Sequence, residues 1–172
     1  MNRSSIEMSI YVPKYSEVFY PRIGKRQILD SGPDSHFAVI YRNVSRRTQE
    51  LFVDGSSWGD YTLEFALRTP GGKPAIVRRR QHGYSKNIPV TVRLEPGDSW
   101  VRNVYFDTRS AFGWEGFPDF KRSASVDCTL TAIFTQEPLA KPSAQSKASQ
   151  PDPWLWTGTI RSAPVQVTFT RY

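Results

Sequence analysis

Histidine and cysteine are nearly absent from this chain of 172 residues, which has two histidines and one cysteine. Acid–base and nucleophilic catalysis usually depends on a histidine base. His36 opens a predicted strand and His82 lies in a predicted turn, so neither has a catalytic spacing, and we expect no enzyme and no catalytic residues. Cys128 lies in an apolar strand, where it should be a small buried hydrophobe. A single cysteine excludes an intrachain disulfide, and with it a disulfide-stapled scaffold.

The low number of histidines and cysteines also limits metal binding. One cysteine and two distant histidines cannot make a convincing zinc site. Asp30, Asp34, Asp54 and Asp60 lie in predicted loops, but they lack the dense acidic spacing of a calcium loop. Aspartate commonly forms turns through its own side-chain hydrogen bonds. We therefore expect no metal and no cofactor.

Long hydrophobic runs are also missing, so we expect no transmembrane segment. The first ten residues, MNRSSIEMSI, lack the apolar segment of a secretory signal peptide. These two absences predict a cytoplasmic protein, unless a targeting segment is missing from this sequence or the protein is delivered by another route; the sequence leaves the compartment open.

The chain has no amphipathic helical period and instead shows the period-two alternation of strands. The alternation is clearest near the end, where Val165, Val167 and Phe169 share one face. Thirteen prolines and eleven glycines separate such segments with turns. Strands are predicted at residues 36–43, 49–53, 61–67, 75–81, 87–94, 99–107, 125–135 and 165–170. Short strands with intervening turn signals predict an all-β fold, a single antiparallel β-sandwich of seven to nine strands.

We expect one domain over residues 1–172. Residues 1–30 are predicted to be an N-terminal extension or an edge strand, since proline limits the ladders that this segment can join. Residues 136–153 are rich in Pro, Ala, Ser, Lys and Gln, a composition that cannot bury enough apolar surface to order itself. We interpret them as a long flexible loop before the last strand, because the segment after residue 153 is too short to be a domain.

Several short motifs carry a resemblance to a known family. They are Tyr41-Arg-Asn43, Thr69-Pro-Gly-Gly72, Leu94-Glu-Pro-Gly-Asp98, the strand from Cys128 to Phe134, and Trp156-Thr-Gly158 before Ser162 and the closing strand. Over about residues 36–172 the chain resembles Ig-like β-sandwich domains common in bacterial proteins. Such domains are seen in intracellular proteinase inhibitors and in the propeptides of deuterolysin-type metalloproteases. The resemblance implies an Ig-like fold and a binding or accessory module without catalysis.

The sharpest basic feature is the run Arg78, Arg79 and Arg80, in a chain of formal net charge +7. Charged side chains on an edge strand deter edge-to-edge pairing, which is one interpretation of the run. Alternatively, the arginines contact an anionic partner surface, joined by Arg46, Arg47, Lys86 and Arg93. A nucleic acid is the less favoured partner, because no recognised nucleic-acid-binding signature is present. Net charge itself can also reflect a basic surface that has no polyanionic target.

The best candidate for a partner-binding surface is the aromatic loop of residues 112–120. Its four large apolar residues are Phe112, Trp114, Phe117 and Phe120. Exposed, they would form a binding hot spot for a protein or glycan, since aromatic residues dominate such spots. Folded back, they would cover the open end of the sandwich, and the sequence leaves both interpretations open. Trp154 and Trp156 are predicted to pack in the core.

The expected function is therefore non-enzymatic. We predict a protein-interaction or structural module, as part of a larger assembly, with a protein as its partner. One alternative is a proteinase inhibitor that uses loop 54–60 or 136–153. The other is a basic protein associated with nucleic acid.

Overall fold

The computed structural model describes residues 4–12, 28–30, 36–84, 88–107, 110–118, 125–138 and 154–170. These residues form twelve strands and one helical turn. The strands are β1 (Ile6–Tyr11), β2 (Ile28–Asp30), β3 (His36–Asn43), β4 (Gln49–Phe52), β5 (Leu63–Arg68), β6 (Ala75–Arg79), β7 (Thr91–Leu94), β8 (Ser99–Tyr105), β9 (Trp114–Glu115), β10 (Ser125–Gln136), β11 (Gly158–Arg161) and β12 (Val165–Thr170). The helical turn, α1, is Ser57–Asp60. The prediction of an all-β chain is confirmed.

The largest sheet has seven strands in the order β2-β12-β10-β5-β6-β9, and β11 also pairs with β10. A second sheet has the order β1-β3-β8, and β4 pairs with β7 in a third. All of these pairs are antiparallel except β12 with β2. The arrangement of these sheets is compatible with a β-sandwich.

The core lies between the seven-stranded and three-stranded sheets. Leu63, Phe65 and Leu67 of β5 are fully buried, as their alternation predicts. Phe65 meets Phe37 of β3 edge-to-face at 5.3 Å between ring centroids. Phe134 of β10 and Tyr41 of β3 make a similar contact at 4.9 Å. Since each contact joins one sheet to the other, the two sheets pack face to face.

The small β4–β7 sheet is attached to this sandwich by a buried amide. Gln136, only 1% exposed, accepts a hydrogen bond from the Phe52 backbone N–H at 2.8 Å. Its amide nitrogen donates to the backbone carbonyls of Glu50 and Trp156. One side chain therefore links β4 and β10 to the backbone just before β11.

Two predicted details differ in the structure. The strand count exceeds seven to nine because short strands such as β2, with three residues, and β9, with two, are counted separately. The strand predicted at 87–94 is limited to β7. An alternating strand over that range would turn Ile88 and Val90 to the same buried face as Leu94, but these two residues are 67% and 51% exposed. Pro89 separates these two residues and has no N–H to donate to a ladder, which explains the late start of β7.

The termini and the predicted loop are only partly described. β1 lies at the end of the three-stranded sheet, and among the described residues it pairs with β3. In the loop predicted at 136–153, Gln136 still belongs to β10, and residues 139–153 lie outside the described part of the chain.

Candidate functional site

The structure brings together the two surfaces that the sequence singled out. β6 carries Arg78 and Arg79, and it pairs with β9, where Arg78 lies opposite Glu115 and Arg79 opposite Trp114. The Arg80 backbone N–H continues the contact by donating to the Gly113 carbonyl at 3.0 Å. We call residues 78–84 and 110–117 the β6–β9 corner.

Two of the four aromatic residues of the loop pack inward. Trp114 is 1% exposed, and its ring lies 5.3 Å from that of Phe65. Phe117 is half-buried and packs against Phe106 at 5.1 Å and Phe169 at 5.5 Å. Trp114 and Phe117 therefore fold back onto the sandwich. Trp114 belongs to the core and is not a surface contact. Phe120 lies outside the described residues.

Phe112 differs from them, because 58% of it is exposed. Its backbone N–H donates to Ser110 Oγ at 3.0 Å, and its carbonyl accepts from Arg79 Nη1 at 2.6 Å. Its ring meets the His82 ring edge-to-face at 4.7 Å. Phe112 is thus an exposed aromatic side chain on a backbone that is fixed from both sides.

The three arginines have different roles. The Arg79 guanidinium lies over the Trp114 ring, 5.0 Å from its centroid, a cation–π contact with the core. Arg80 Nη1 lies 3.4 Å from the Ser110 carbonyl oxygen, so Arg80 also ties down the loop. Arg78 points away, with 63% of its side chain exposed and Glu115 at 3.5 Å. Arg78 is therefore the one of the three best placed to meet a partner.

A cluster around Asp60, which sequence reasoning missed, supports this corner. Asp60 is 8% exposed; its Oδ1 accepts from the Gly55 N–H at 2.7 Å and its Oδ2 from the Tyr84 hydroxyl at 2.6 Å. His82 Nε2 lies 3.5 Å from the same Oδ2. Burial, followed by the hydrogen bonds with Asp60 and Tyr61, raises the pKa of Tyr84 far above its usual value. The phenol therefore keeps its proton and remains a hydrogen-bond donor to Asp60.

Strand register is the signal that could have revealed this cluster. Glu64 of β5 pairs with Arg78 of β6, and continuing that register by four residues brings Asp60 opposite His82. His82 Nδ1 also lies 3.2 Å from the Arg80 carbonyl oxygen. His82 thus connects the end of β6 to the segment before β5 through its contact with Asp60. Its ring also packs against the ring of Phe112.

An ion pair between a buried arginine and an aspartate holds the loop before α1. Arg102 of β8 points inward with 3% of its side chain exposed and forms a two-point ion pair with Asp54. Its Nη1 also donates to Thr62 Oγ1 at 3.2 Å. An inward arginine needs such partners because an unpaired buried charge is costly. The ion pair is accordingly structural, and it fixes loop 54–60 against the sandwich.

Loop 54–60 helps to form a cleft of about 540 Å³ on the outer face of the seven-stranded sheet. The cleft is lined by Phe52, Ser57, Trp58, Tyr61, Thr62, Glu64, Thr135, Glu137 and Pro138. α1 lies at this point because Gly59 packs against the backbone: a Cβ there would lie 1.6 Å from the Val53 carbonyl oxygen. The close approach places Trp58 at the cleft.

Cys128 is buried, as predicted, and is not activated as a nucleophile. Burial, with the Asp127 charge as a second cause, raises the pKa of its thiol to about 11. The thiol is therefore protonated at neutral pH, and thiols react as thiolates. Trp156 is buried as expected, whereas Trp154 is 39% exposed, with the Arg93 guanidinium 5.6 Å from its ring centroid.

Within the described ranges, no group of three or more His, Cys, Asp or Glu side chains could hold a metal ion. The same part of the chain contains no helix long and apolar enough to cross a membrane. No protein-family model matches the sequence, and neither curated proteins nor solved structures show a significant match.

Proposed function

We propose that the protein is a non-enzymatic interaction module that binds a protein partner through Phe112 at the β6–β9 corner. The observation that carries this proposal is the combination of exposure and fixed backbone at Phe112. A contact residue that is already held in place loses less conformational freedom on binding. Aromatic anchors of this kind commonly supply much of the energy of an interface.

Arg78 is proposed as a second contact, toward an acidic group of the partner. Its guanidinium is mostly exposed and only loosely paired with Glu115. An exposed ion pair contributes little to stability, so exchanging Glu115 for a partner carboxylate costs the protein little. Arg79 and Arg80 would act indirectly, by fixing the backbone of the loop that carries Phe112.

The proteinase-inhibitor alternative finds less support. An inhibitory loop has to project into the cleft of a protease, but Ser56, Gly59 and Asp60 of loop 54–60 are buried. That alternative therefore depends on segment 136–153, whose residues 139–153 are not described. The alternative of nucleic-acid association rests on the net charge of +7, and salt-sensitive recovery of nucleic acid would favour it.

The test is quantitative affinity capture from lysate of the source cells, comparing the wild-type protein with Phe112→Ala and Ile88→Ala. Ile88 is 67% exposed and lies outside the corner, so it is the matched control for removing an exposed apolar side chain. We expect a protein partner that survives high salt, is lost with Phe112→Ala and is retained with Ile88→Ala. Loss of an aromatic anchor should weaken binding by about 30-fold, or ~2 kcal/mol. Equal capture by all three proteins would refute the proposal.

Arg78→Glu tests the second contact separately. Charge reversal should slow association and reduce capture most at low salt, since exposed charges act chiefly on the association rate. Lys73→Glu provides a control with the same charge change on an exposed side chain in the turn before β6. If both reversals weaken capture equally, the effect belongs to the net charge and not to Arg78.

A further inference from the structure

One wall of the cleft beside α1 is fixed by hydrogen bonds of the Tyr61 side chain. The Tyr61 hydroxyl accepts from the His82 backbone N–H at 2.9 Å and lies 3.1 Å from the His82 carbonyl oxygen, to which it donates. Trp58 sits between half-buried Ser57 and buried Gly59, which packs against Val53. Both aromatic rings are themselves half-buried, so each leaves part of its surface accessible. The cleft has a volume of about 540 Å³ and is open to solvent.

The charge of the cleft is opposite to that of the protein. Its two charged lining residues are Glu64 and Glu137, in a chain of net charge +7. Among the described residues, no hydrogen bond or ion pair is found for either carboxylate. Arg78 lies opposite Glu64 in the strand register, yet its ion pair is with Glu115. Two carboxylates thus face a space that also has aromatic walls.

Aromatic rings and carboxylates together suit one class of ligand. The negative face of an aromatic ring attracts a cation, and the apolar ring surface accommodates the carbon chain that carries it. Carboxylates add charge-assisted hydrogen bonds from an ammonium or guanidinium group. An anionic ligand would be repelled by both glutamates, and a purely apolar ligand would leave them without a counter-charge.

We propose that this cleft binds an alkylammonium or alkylguanidinium group, with Trp58 and Tyr61 contacting the carbon chain and Glu64 and Glu137 the cation. The site lies on the outer face of the sheet and is distinct from Phe112. Its existence does not depend on the partner proposed for the β6–β9 corner.

The experiment is an NMR titration of the full chain near neutral pH, following the indole N–H of Trp58, which is assigned with Trp58→Phe. n-Butylammonium and n-butylguanidinium are the cationic probes, and 1-pentanol is the neutral probe of similar length. We expect saturable shifts at Trp58 for the cations and none for the alcohol at the same concentrations. Saturation by 1-pentanol with equal affinity would overturn the proposal, as would the absence of saturation by either cation.

Isosteric variants test the carboxylates. Glu64→Gln and Glu137→Gln should each weaken cation binding roughly 2- to 5-fold, the range of partly exposed ion pairs. Glu7→Gln removes an exposed carboxylate from β1 in the other sheet and is the matched control. Equal affinity in Glu64→Gln, Glu137→Gln and Glu7→Gln would show that the shifts do not report this site.

Two short peptides distinguish the sources of such a group. Acetyl-Gly-Lys-Gly-amide and acetyl-Gly-Arg-Gly-amide present the same cations on a peptide backbone. Tighter binding of a peptide than of the corresponding butyl cation identifies a protein side chain as the ligand. Equal or weaker binding identifies a free amine or guanidine.

Discussion

Ser162 and Ala132 exchange two hydrogen bonds at the point where β10 changes partner. The Ala132 N–H donates to Ser162 Oγ, and the Ser162 N–H donates to the Ala132 carbonyl, both at 3.0 Å. On this side β10 pairs with β12 along its first half and with β11 along its second. Ser162 lies in the segment between β11 and β12, where neither strand pairs with β10. Its hydroxyl therefore accepts the hydrogen bond of the Ala132 N–H, which has no strand carbonyl opposite it there.

We therefore predict that Ser162→Ala destabilises the fold. The Ala132 N–H would lose its partner in a buried position, at a cost of about 1–3 kcal/mol. Thr159→Ala removes an exposed hydroxyl that contacts Thr135 and should change the free energy of unfolding by less than about 0.5 kcal/mol. Urea denaturation of both variants measures the difference. Equal changes in the free energy of unfolding for the two variants would show that the Ser162 hydroxyl is not needed where β10 changes partner.

The Arg102–Asp54 pair predicts an asymmetry between two substitutions. Asp54→Ala leaves a buried guanidinium without its carboxylate and should cost about 1–3 kcal/mol, less than for a fully buried pair because Asp54 is 38% exposed. Arg102→Met removes the charge while keeping much of the volume, so it should cost less. Denaturant unfolding provides the comparison, and a larger loss for Arg102→Met would contradict the account.

Much of the β-structure could be predicted because alternation depends on local sequence. Leu63, Phe65 and Leu67 of β5 point inward as the pattern requires, and so do Val167 and Phe169 of β12. The partner exchange of β10 and the two-residue β9 could not be predicted. Both depend on contacts between residues far apart in the chain, and neither leaves a periodic signal.

In the candidate site, too, some features could be predicted from local sequence and others depend on contacts between distant residues. Sequence composition identified the arginine run and the aromatic loop, but it could not show that Trp114 is buried while Phe112 is exposed. That difference comes from the pairing of Trp114 with Arg79, a tertiary contact. Asp60 and His82 were each interpreted alone, as turn residues. Their proximity follows only once the β5–β6 register is known.

Gly59 provides a test of the wall that carries Trp58. In Gly59→Ala the new Cβ would lie 1.6 Å from a backbone oxygen, so α1 must move. We expect destabilisation of about 2 kcal/mol or more, as for other overpacked buried sites, together with a shifted Trp58 indole resonance. In the control, Gly83→Ala, no atom lies within 4 Å of the added Cβ, and a neutral or slightly stabilising effect is expected. Thermal unfolding that is equal in the two variants would contradict this packing.

Tyr41 predicts how stability depends on alkaline pH. Burial raises its pKa to about 12, although the nearby Arg102 charge acts in the opposite direction. In the unfolded chain a tyrosine ionises near pH 10, so between about pH 10 and 12 the unfolded state releases a proton that the folded state keeps. The stabilising contribution is therefore complete below about pH 10 and is lost as the pH rises toward 12, by about 3 kcal/mol in total.

Tyr41→Phe should remove this part of the pH dependence. The Tyr41 hydroxyl is buried near the Arg102 side chain, but no hydrogen bond of ordinary geometry reaches it among the described residues, so its loss should cost little at pH 7. Between pH 10 and 12 the free energy of unfolding of Tyr41→Phe should then fall less steeply than that of the wild type, by about 1 kcal/mol per pH unit. Tyr11→Phe, at an exposed tyrosine of β1, is the control and should keep the wild-type slope. Parallel pH profiles for the wild type and Tyr41→Phe would mean that Tyr41 ionises equally in both states, which its burial between the two sheets argues against.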